Sequence, residues 1–389
     1  GIASMARPQK KLVWVHAASV GETNAALPVI AALRDAREDL SFLITTGTRT
    51  SAALAEARLG PRGIHQFVPL DSPRYARRFM DHWKPDIAVF TESEIWPNLI
   101  LETAERKIPL ALINARMSQR SFKRWRRNSG MAVALFGRFA VVLAQNAKLA
   151  RSFSLLGARN VIASGNLKID SPPPPVDAHA LQKLREVIGE RPLLLAASTH
   201  PGEDEQVATA HQLLKAKHDR LITIIVPRHP ERGPAIAEML AALGLKTRRR
   251  ATGELPDAET DVYIADTIGE LGTFYMLAPV ALIGGSLVPH GGQNPIEAAR
   301  HGCAILTGPN THNFTDSYAA LMEHGGARVV TDGASLAEAA DTILSDPAAL
   351  KRMTDGANTA LEGLAGALTL TVDAILALLP ENEETRRAT

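Results

Sequence analysis

The sequence predicts an α/β protein made of two Rossmann-like, doubly wound domains, and three observations carry that expectation. At 389 residues the chain exceeds what one hydrophobic core usually holds. Short, nearly continuous apolar runs alternate with amphipathic stretches through both halves, the pattern of parallel strands covered by helices on both faces. Between the halves stands Ser171-Pro-Pro-Pro-Pro175, which can continue neither a helix nor a central strand and makes a stiff spacer. The expected organisation is a first domain over 1–170, a linker over 171–175 and a second domain over 176–389. The C-terminal helices are free to pack back on the first domain. Two such domains on a short linker are expected to leave a cleft, with ligands beyond the carboxyl ends of the strands.

In the first half the expected strands are 12–16, 41–45, 65–68, 87–90, 110–114 and 141–144, separated by helical patterns such as 23–34 and 73–83. In the second half they are 193–197, 221–226, 262–265, 280–283, 304–306 and 328–330, and the 336–379 stretch reads as largely helical. No internal repeat of fixed period is present.

Composition narrows the class. Hydrophobic residues make up 46% of the chain, ample for two cores, and the net charge of +2 implies no wholesale nucleic-acid coating. Cys303 is the single cysteine, which excludes an intrachain disulfide and a multi-cysteine zinc site and fits a reducing compartment. No uninterrupted apolar run reaches the roughly 18 residues of a membrane span. Residues 131–144 come closest, but Gly137 and Arg138 interrupt them.

The segment Gly284-Gly-Ser-Leu-Val-Pro-His-Gly-Gly-Gln-Asn-Pro-Ile-Glu297 joins an apolar strand to a helix start, with Asn294 as N-cap and Pro295 at the first helical position. Its glycines allow close backbone approach, so the segment reads either as an anion site or as a capped helix behind a flexible loop. His16-Ala-Ala-Ser-Val-Gly-Glu22 offers a carboxylate at a strand-to-helix turn, fit for a general base. Ser19 and Glu22 also have capping-box spacing, and spacing alone favours the cap. Thr91-Glu-Ser-Glu-Ile-Trp-Pro97 places two acids at a strand end, Gly165-Asn-Leu-Lys168 places a cation at the expected hinge, and Pro227-Arg-His-Pro-Glu-Arg232 pins an Arg-His pair between prolines. Arginine there suits bidentate recognition of phosphate or carboxylate, or is a solvated charge on a rigid turn. Residues 198–203 and 265–271 each join a strand to a helix start, able to supply N–H groups to a phosphate or simply to cap.

Residues 116–127 hold Arg116, Arg120, Lys123, Arg124, Arg126 and Arg127 without an acid, interleaved with Phe122 and Trp125. That run is a solvated helix face or a surface for phosphates and anionic lipid, with the aromatics at headgroup level. RNA is disfavoured by the near-neutral remainder. The chain lacks a phosphate loop, a Gly-x-Gly-x-x-Gly fingerprint, a nucleophile elbow, zinc-ligand spacing and an Asp-x-Asp metal clamp.

Together these motifs, with Ile113-Asn-Ala-Arg-Met-Ser118, resemble the 3-deoxy-D-manno-octulosonic acid (Kdo) transferases of Gram-negative bacteria. The likeness runs from about residue 13 into the C-terminal helices. It implies the glycosyltransferase B fold and transfer of Kdo from CMP-Kdo to the lipid A precursor, lipid IVA, in lipopolysaccharide assembly. It implies Glu22 as base and Glu92 and Lys168 as transition-state partners. It implies CMP contacts at Arg228 and His229, at Gly269, Glu270 and Leu271, and at Asn294, Pro295, Ile296 and Glu297. With one base and no nucleophile in view, direct displacement with inversion is expected, without cofactor or metal. The basic run suits an acceptor that carries phosphates and acyl chains. Such enzymes carry an N-terminal anchor and work at the cytoplasmic face of the inner membrane, and the opening Gly1-Ile-Ala-Ser-Met5 reads as a cut N-terminus downstream of one. The rival readings are another nucleotide-sugar enzyme of the same fold, such as a UDP-sugar epimerase or a different transferase, and a non-catalytic nucleotide-sugar-binding protein. The collected acids Glu22, Glu92 and Glu94 speak against a binding-only anion site.

Overall fold

The computed structural model describes residues 2–60, 62–170 and 173–379. The chain divides into two compact units, Gly1–Ser171 with Ala365–Thr389, and Pro172–Leu364. The expected second domain therefore ends at Leu364, and the last helix belongs to the first unit. Residues 171 and 172 of the expected linker lie outside the described residues.

The first unit holds a parallel sheet in the order β3-β2-β1-β4-β5-β6-β7. Its strands are β1 (Lys11–His16), β2 (Leu40–Thr46), β3 (Gly63–Phe67), β4 (Ile87–Thr91), β5 (Leu110–Ala115), β6 (Val141–Ala144) and β7 (Val161–Ala163). Alternation along β1 shows how the sheet is covered on both faces: Val13 and Val15 enter one core layer, Leu12 and Trp14 the other. Helix Val20–Ala36 and the C-terminal helix Ala367–Leu378 supply Val29, Ile30, Leu33, Val372 and Ile375 to the first layer.

The second unit repeats the plan in the order β10-β11-β9-β8-β12-β13-β14. Its strands are β8 (Leu193–Thr199), β9 (Ile222–Pro227), β10 (Thr247–Arg249), β11 (Val262–Ile264), β12 (Val280–Ile283), β13 (Ala304–Thr307) and β14 (Ala327–Val329). Leu193, Leu195 and Ala197 face one layer, Leu194 and Ala196 the other.

In each sheet the strand order reverses near the centre, between β1 and β4 in the first and between β8 and β12 in the second, where β10 is in addition set outside β11. Chain leaving the carboxyl ends of two such strands diverges to opposite faces and opens a crevice, the usual ligand position in open α/β sheets. The motifs that follow β1, β4, β8 and β12 all stand at these two points.

Among the described residues, Pro347–Leu378 alone is long and apolar enough to cross a membrane. It is two helices, Pro347–Leu364 and Ala367–Leu378, separated at Gly366 (φ 103°), and Ala367, Val372 and Ile375 lie in the first unit's core.

Candidate active site

At the first reversal point, helix Val20–Ala36 starts directly after β1. Ser19 caps it: Glu22 N–H donates to Ser19 Oγ (3.4 Å), and Ser19 N–H donates to Glu22 Oε2 (3.0 Å). The capping box is thus formed, and it anchors one oxygen of Glu22. The residue as a whole is 8% exposed. Burial, then Glu94, raises its affinity for a proton above the usual carboxylate range, Glu92 adding to the effect against the N–H groups of Ser19 and Ala18.

Glu92 lies at the end of β4 with φ 51°, in the left-handed region that costs a non-glycine residue on the order of 1–3 kcal/mol. The strain places its buried carboxylate among cations and an amide. Lys168 Nζ is 2.6 Å from Oε1, Arg116 Nη1 is 3.6 Å from Oε2, and Asn114 Nδ2 donates to Oε1 at 3.3 Å. Lys168 sits in the short helix Leu167–Asp170. Asn114 Oδ1 accepts from Leu167 N–H (3.1 Å) at one end of that helix, and Asp170 accepts from Gly366 N–H (3.2 Å) and Leu368 N–H (2.6 Å) at the other. A Cβ on Gly21 would lie 3.8 Å from Lys168 Nζ, so the lysine reaches the turn that bears Glu22.

Glu94 completes the group. Trp96 Nε1 donates to it at 2.7 Å, and the fully buried His16 brings Nε2 to 3.4 Å. Burial opposes ionisation of Glu94, but His16 and Trp96 overcome it and hold the group below the usual carboxylate range. His16 is fixed from its other side by Thr45 Oγ1 (3.0 Å).

The expected catalytic residues Glu22, Glu92 and Lys168 are therefore gathered in one unit. Sequence reasoning assigned no role to His16, Asn114 or Asp170. His16 and Asn114 stood in quoted motifs and Asp170 just after Lys168; the partner of Asp170 lies almost 200 residues on, a contact no local pattern reveals.

Three residues of the expected basic surface also have partners within the unit. Arg116 precedes helix Gln119–Arg127 and, while still exposed, pairs with Glu92 at 3.6 Å. Phe122 and Trp125, half-buried, pack against the second core layer, Trp125 edge-on to Phe136 at 5.3 Å. Arg120, Lys123, Arg124, Arg126 and Arg127 are exposed, and the neighbouring helix Ser129–Phe136 exposes Met131 and Val133.

In the second unit, Arg228 and His229 follow β9 and are exposed, and Arg228 N–H donates to Thr199 O (3.0 Å). Gly269 takes φ 90°; Glu270 is tied to Arg250 Nη2 at 2.6 Å; Leu271 opens helix Leu271–Leu277. Asn294 caps helix Pro295–Arg300 by accepting from Ile296 N–H (3.1 Å), and its Nδ2 donates to Glu297 Oε1 (3.1 Å). Burial raises the proton affinity of Glu297, while Asn294 and the charge of Arg228 oppose it. His200 packs against His290 with ring centroids 3.8 Å apart and planes tilted by 33°, and burial, with the neighbouring imidazoles and arginines, pushes it down to about 4, so it is neutral at pH 7. Pro295 and Ile296 are buried and serve the helix start.

The glycine-rich loop after β12 differs from expectation. The N–H groups of Gly285, Ser286 and Leu287 are occupied by the carboxylate of Glu203, so they form no open anion site.

Among the described residues, no group of three or more His, Cys, Asp or Glu could hold a metal ion.

Two parallel, doubly wound units with acids and cations at their reversal points define a glycosyltransferase B architecture. The chain superposes on a Rickettsia africae glycosyltransferase with TM-score 0.64 at 15% identity, covering 95% of this chain and 98% of that one. It superposes equally well on the UDP-GlcNAc 2-epimerase of Neisseria meningitidis (TM-score 0.64, 15% identity, 94% and 100% coverage). At that identity the likeness is one of fold. The family is shown by sequence: the chain belongs to the 3-deoxy-D-manno-octulosonic acid transferases and is a glycosyltransferase. The profile described as 3-Deoxy-D-manno-octulosonic-acid transferase (kdotransferase) matches residues 1–171. The chain is 36% identical to a probable mitochondrial 3-deoxy-D-manno-octulosonic acid transferase of Arabidopsis thaliana, over 90% of its length and 81% of that protein. It is 34% identical to the Haemophilus influenzae 3-deoxy-D-manno-octulosonic acid transferase, over 98% of its length and 90% of that protein.

Proposed function

We propose that the chain transfers Kdo from CMP-Kdo to a lipid A precursor, with inversion at the anomeric carbon. The observation that carries this reading is Glu22: a buried carboxylate whose proton affinity is raised by burial and by Glu94, one strand from the strained Glu92. An acceptor hydroxyl is a poor nucleophile and needs a base during attack, and a carboxylate with raised proton affinity is better matched to that task. Lys168, held on Glu92, carries the cation for negative charge that develops as CMP departs, and Glu92 carries the anion for an oxocarbenium-like centre. In the second unit Arg228 and His229, the turn Gly269–Leu271 and the helix start at Asn294–Glu297 make up the nucleotide surface in this reading. The exposed basic face of helix Gln119–Arg127, next to Met131 and Val133, fits a phosphorylated lipid and the anionic inner-membrane surface.

Mass spectrometry of lipid IVA incubated with CMP-Kdo and the protein is the direct test. An acceptor gaining mass in whole Kdo increments, with CMP released, supports the reading; an unchanged acceptor with folded protein refutes it. In the same assay EDTA is expected to leave the rate intact, because protein cations rather than a metal balance the phosphate. Loss of turnover on chelation, restored by Mg²⁺, would refute that part.

A further inference from the structure

Glu203 is fully buried at the second reversal point, immediately before helix Asp204–Lys215. A carboxylate out of water needs partners, because each unmet oxygen costs the full desolvation of the charge. Its neighbour Asp204 obtains a cation, Arg232. Among the described residues Glu203 obtains none. Its partners are backbone N–H groups: His200 (2.9 Å) and Gly285 (2.6 Å) on Oε2, Ser286 (3.0 Å) and Leu287 (2.9 Å) on Oε1. Four donors and no acceptor suit an ionised carboxylate, which only accepts. Three of the four belong to consecutive residues of the glycine-rich loop, and successive backbone amides converging on one anion form a nest of the kind that elsewhere cradles phosphate.

The surroundings show why the nest has this shape. A Cβ on Gly284 would overlap Ser198 O, and one on Gly308 would overlap Ser286 O, so the loop is pressed against both neighbouring strand ends. Gly285 takes φ 69°, turning its N–H inward. Gln293, further along the same loop, reaches back to His200 Nε2 at 3.1 Å. The loop that ends in Asn294 and Glu297 is therefore tied at both ends to the turn after β8, once through Glu203 and once through His200.

We propose that Glu203 is a positioning residue whose carboxylate fills the amide nest of the glycine-rich loop, sets that loop for the nucleotide, and keeps ligand anions off those three amides. Its role in nucleotide binding rests on the donor-site reading of the second unit; its role as an internal anion stands without it. An ordered loop spares the ligand the entropy of ordering it.

Hydrogen–deuterium exchange on the full chain tests the clamp, and CMP titration tests its use. Glu203→Ala vacates the nest. Glu203→Gln keeps the volume but turns an NH₂ group toward two of the amide donors. Exchange at residues 285–287 is expected to rise at least about tenfold in both variants, with β13 unchanged. Formate, small enough for the vacated nest, should restore protection in Glu203→Ala and not in Glu203→Gln. The dissociation constant for CMP should rise at least about tenfold in Glu203→Ala and fall again with formate. Unchanged exchange at 285–287, or acceleration spread evenly over the second sheet without formate rescue, overturns the clamp. A loosened loop with unaltered CMP affinity overturns its part in nucleotide binding. If CMP fails to bind the unaltered chain, the donor reading falls, and exchange alone still decides the clamp.

Discussion

Glu22 holds two positions at once, and its two oxygens explain how. Oε2 closes the capping box on Ser19, which fixes the side chain in one orientation. A base restrained by its own helix start loses little entropy on engaging substrate. Glu22→Gln keeps an acceptor for Ser19 N–H and removes the base. Turnover should fall at least about a hundredfold, the scale of general-base catalysis, with CMP affinity unchanged. Near-normal turnover would leave Glu22 as a cap only. Its raised proton affinity has a direction in pH. Activity requires the ionised form, so the acidic limb of the kcat profile should lie above the usual carboxylate range. Glu94, Glu92, Lys168, Arg116 and His16 are the charged or titratable neighbours gathered there. Glu94 is the largest cause after burial. Glu94→Gln removes that negative charge, eases loss of the Glu22 proton and should move the limb to lower pH. A limb that stays in place, or moves upward, contradicts the coupling. The residues in question were legible one by one in their motifs. Their coupling was not, because His16, Glu94 and Glu22 meet only when β1 and β4 lie side by side.

At the scale of elements, the strands were legible because buried parallel strands are nearly all apolar. The sequence missed β7, three apolar residues too few to read as a run, and β10. Both are edge strands, short and partly exposed, and Thr247-Arg248-Arg249 contains no apolar residue. The last helix illustrates a different limit. Its apolar face suits either core by composition, and what assigns it to the first unit is Asp170 at its N-terminus together with Val372 and Ile375 in the core beside Ile30 and Leu33. Asp170 therefore links the element that carries Lys168 to the end of the chain. Asp170→Ala leaves two helix-terminal N–H groups without their acceptor. It should cost about 1–2 kcal/mol in urea unfolding, in the range of helix-cap losses, and hasten exchange over residues 366–370. It should lower turnover more than it alters CMP affinity. Unchanged stability would mean that packing alone holds the helix.

At the scale of the molecule, the near-neutral net charge conceals an uneven surface. The side chains of Arg120, Lys123, Arg124, Arg126 and Arg127 point outward on one helix, and Met131 and Val133 follow on the next. Each basic residue near an anionic bilayer is worth about 1 kcal/mol. Reversing Lys123, Arg124 and Arg127 to Glu should abolish co-sedimentation of the chain with phosphatidylglycerol vesicles at low salt, while leaving the fold and CMP affinity intact. Retained binding would move the lipid surface elsewhere. The packing of Phe122 and Trp125 against the core was invisible in sequence, since aromatics among arginines occur equally on membrane faces and on helices that pack.

The sequence by itself determined the class of fold, the division near the proline run and the residues that bear charge at the strand ends. Apolar periodicity and glycine or proline punctuation are local, and they act within a few residues. Tertiary structure alone decided which sheet the final helix covers, that Arg116 reaches Glu92, and that the glycine-rich loop closes on the chain's own Glu203. Each of these is a meeting of polar groups far apart in sequence, selected because a buried charge must find its donors wherever the folded chain brings them.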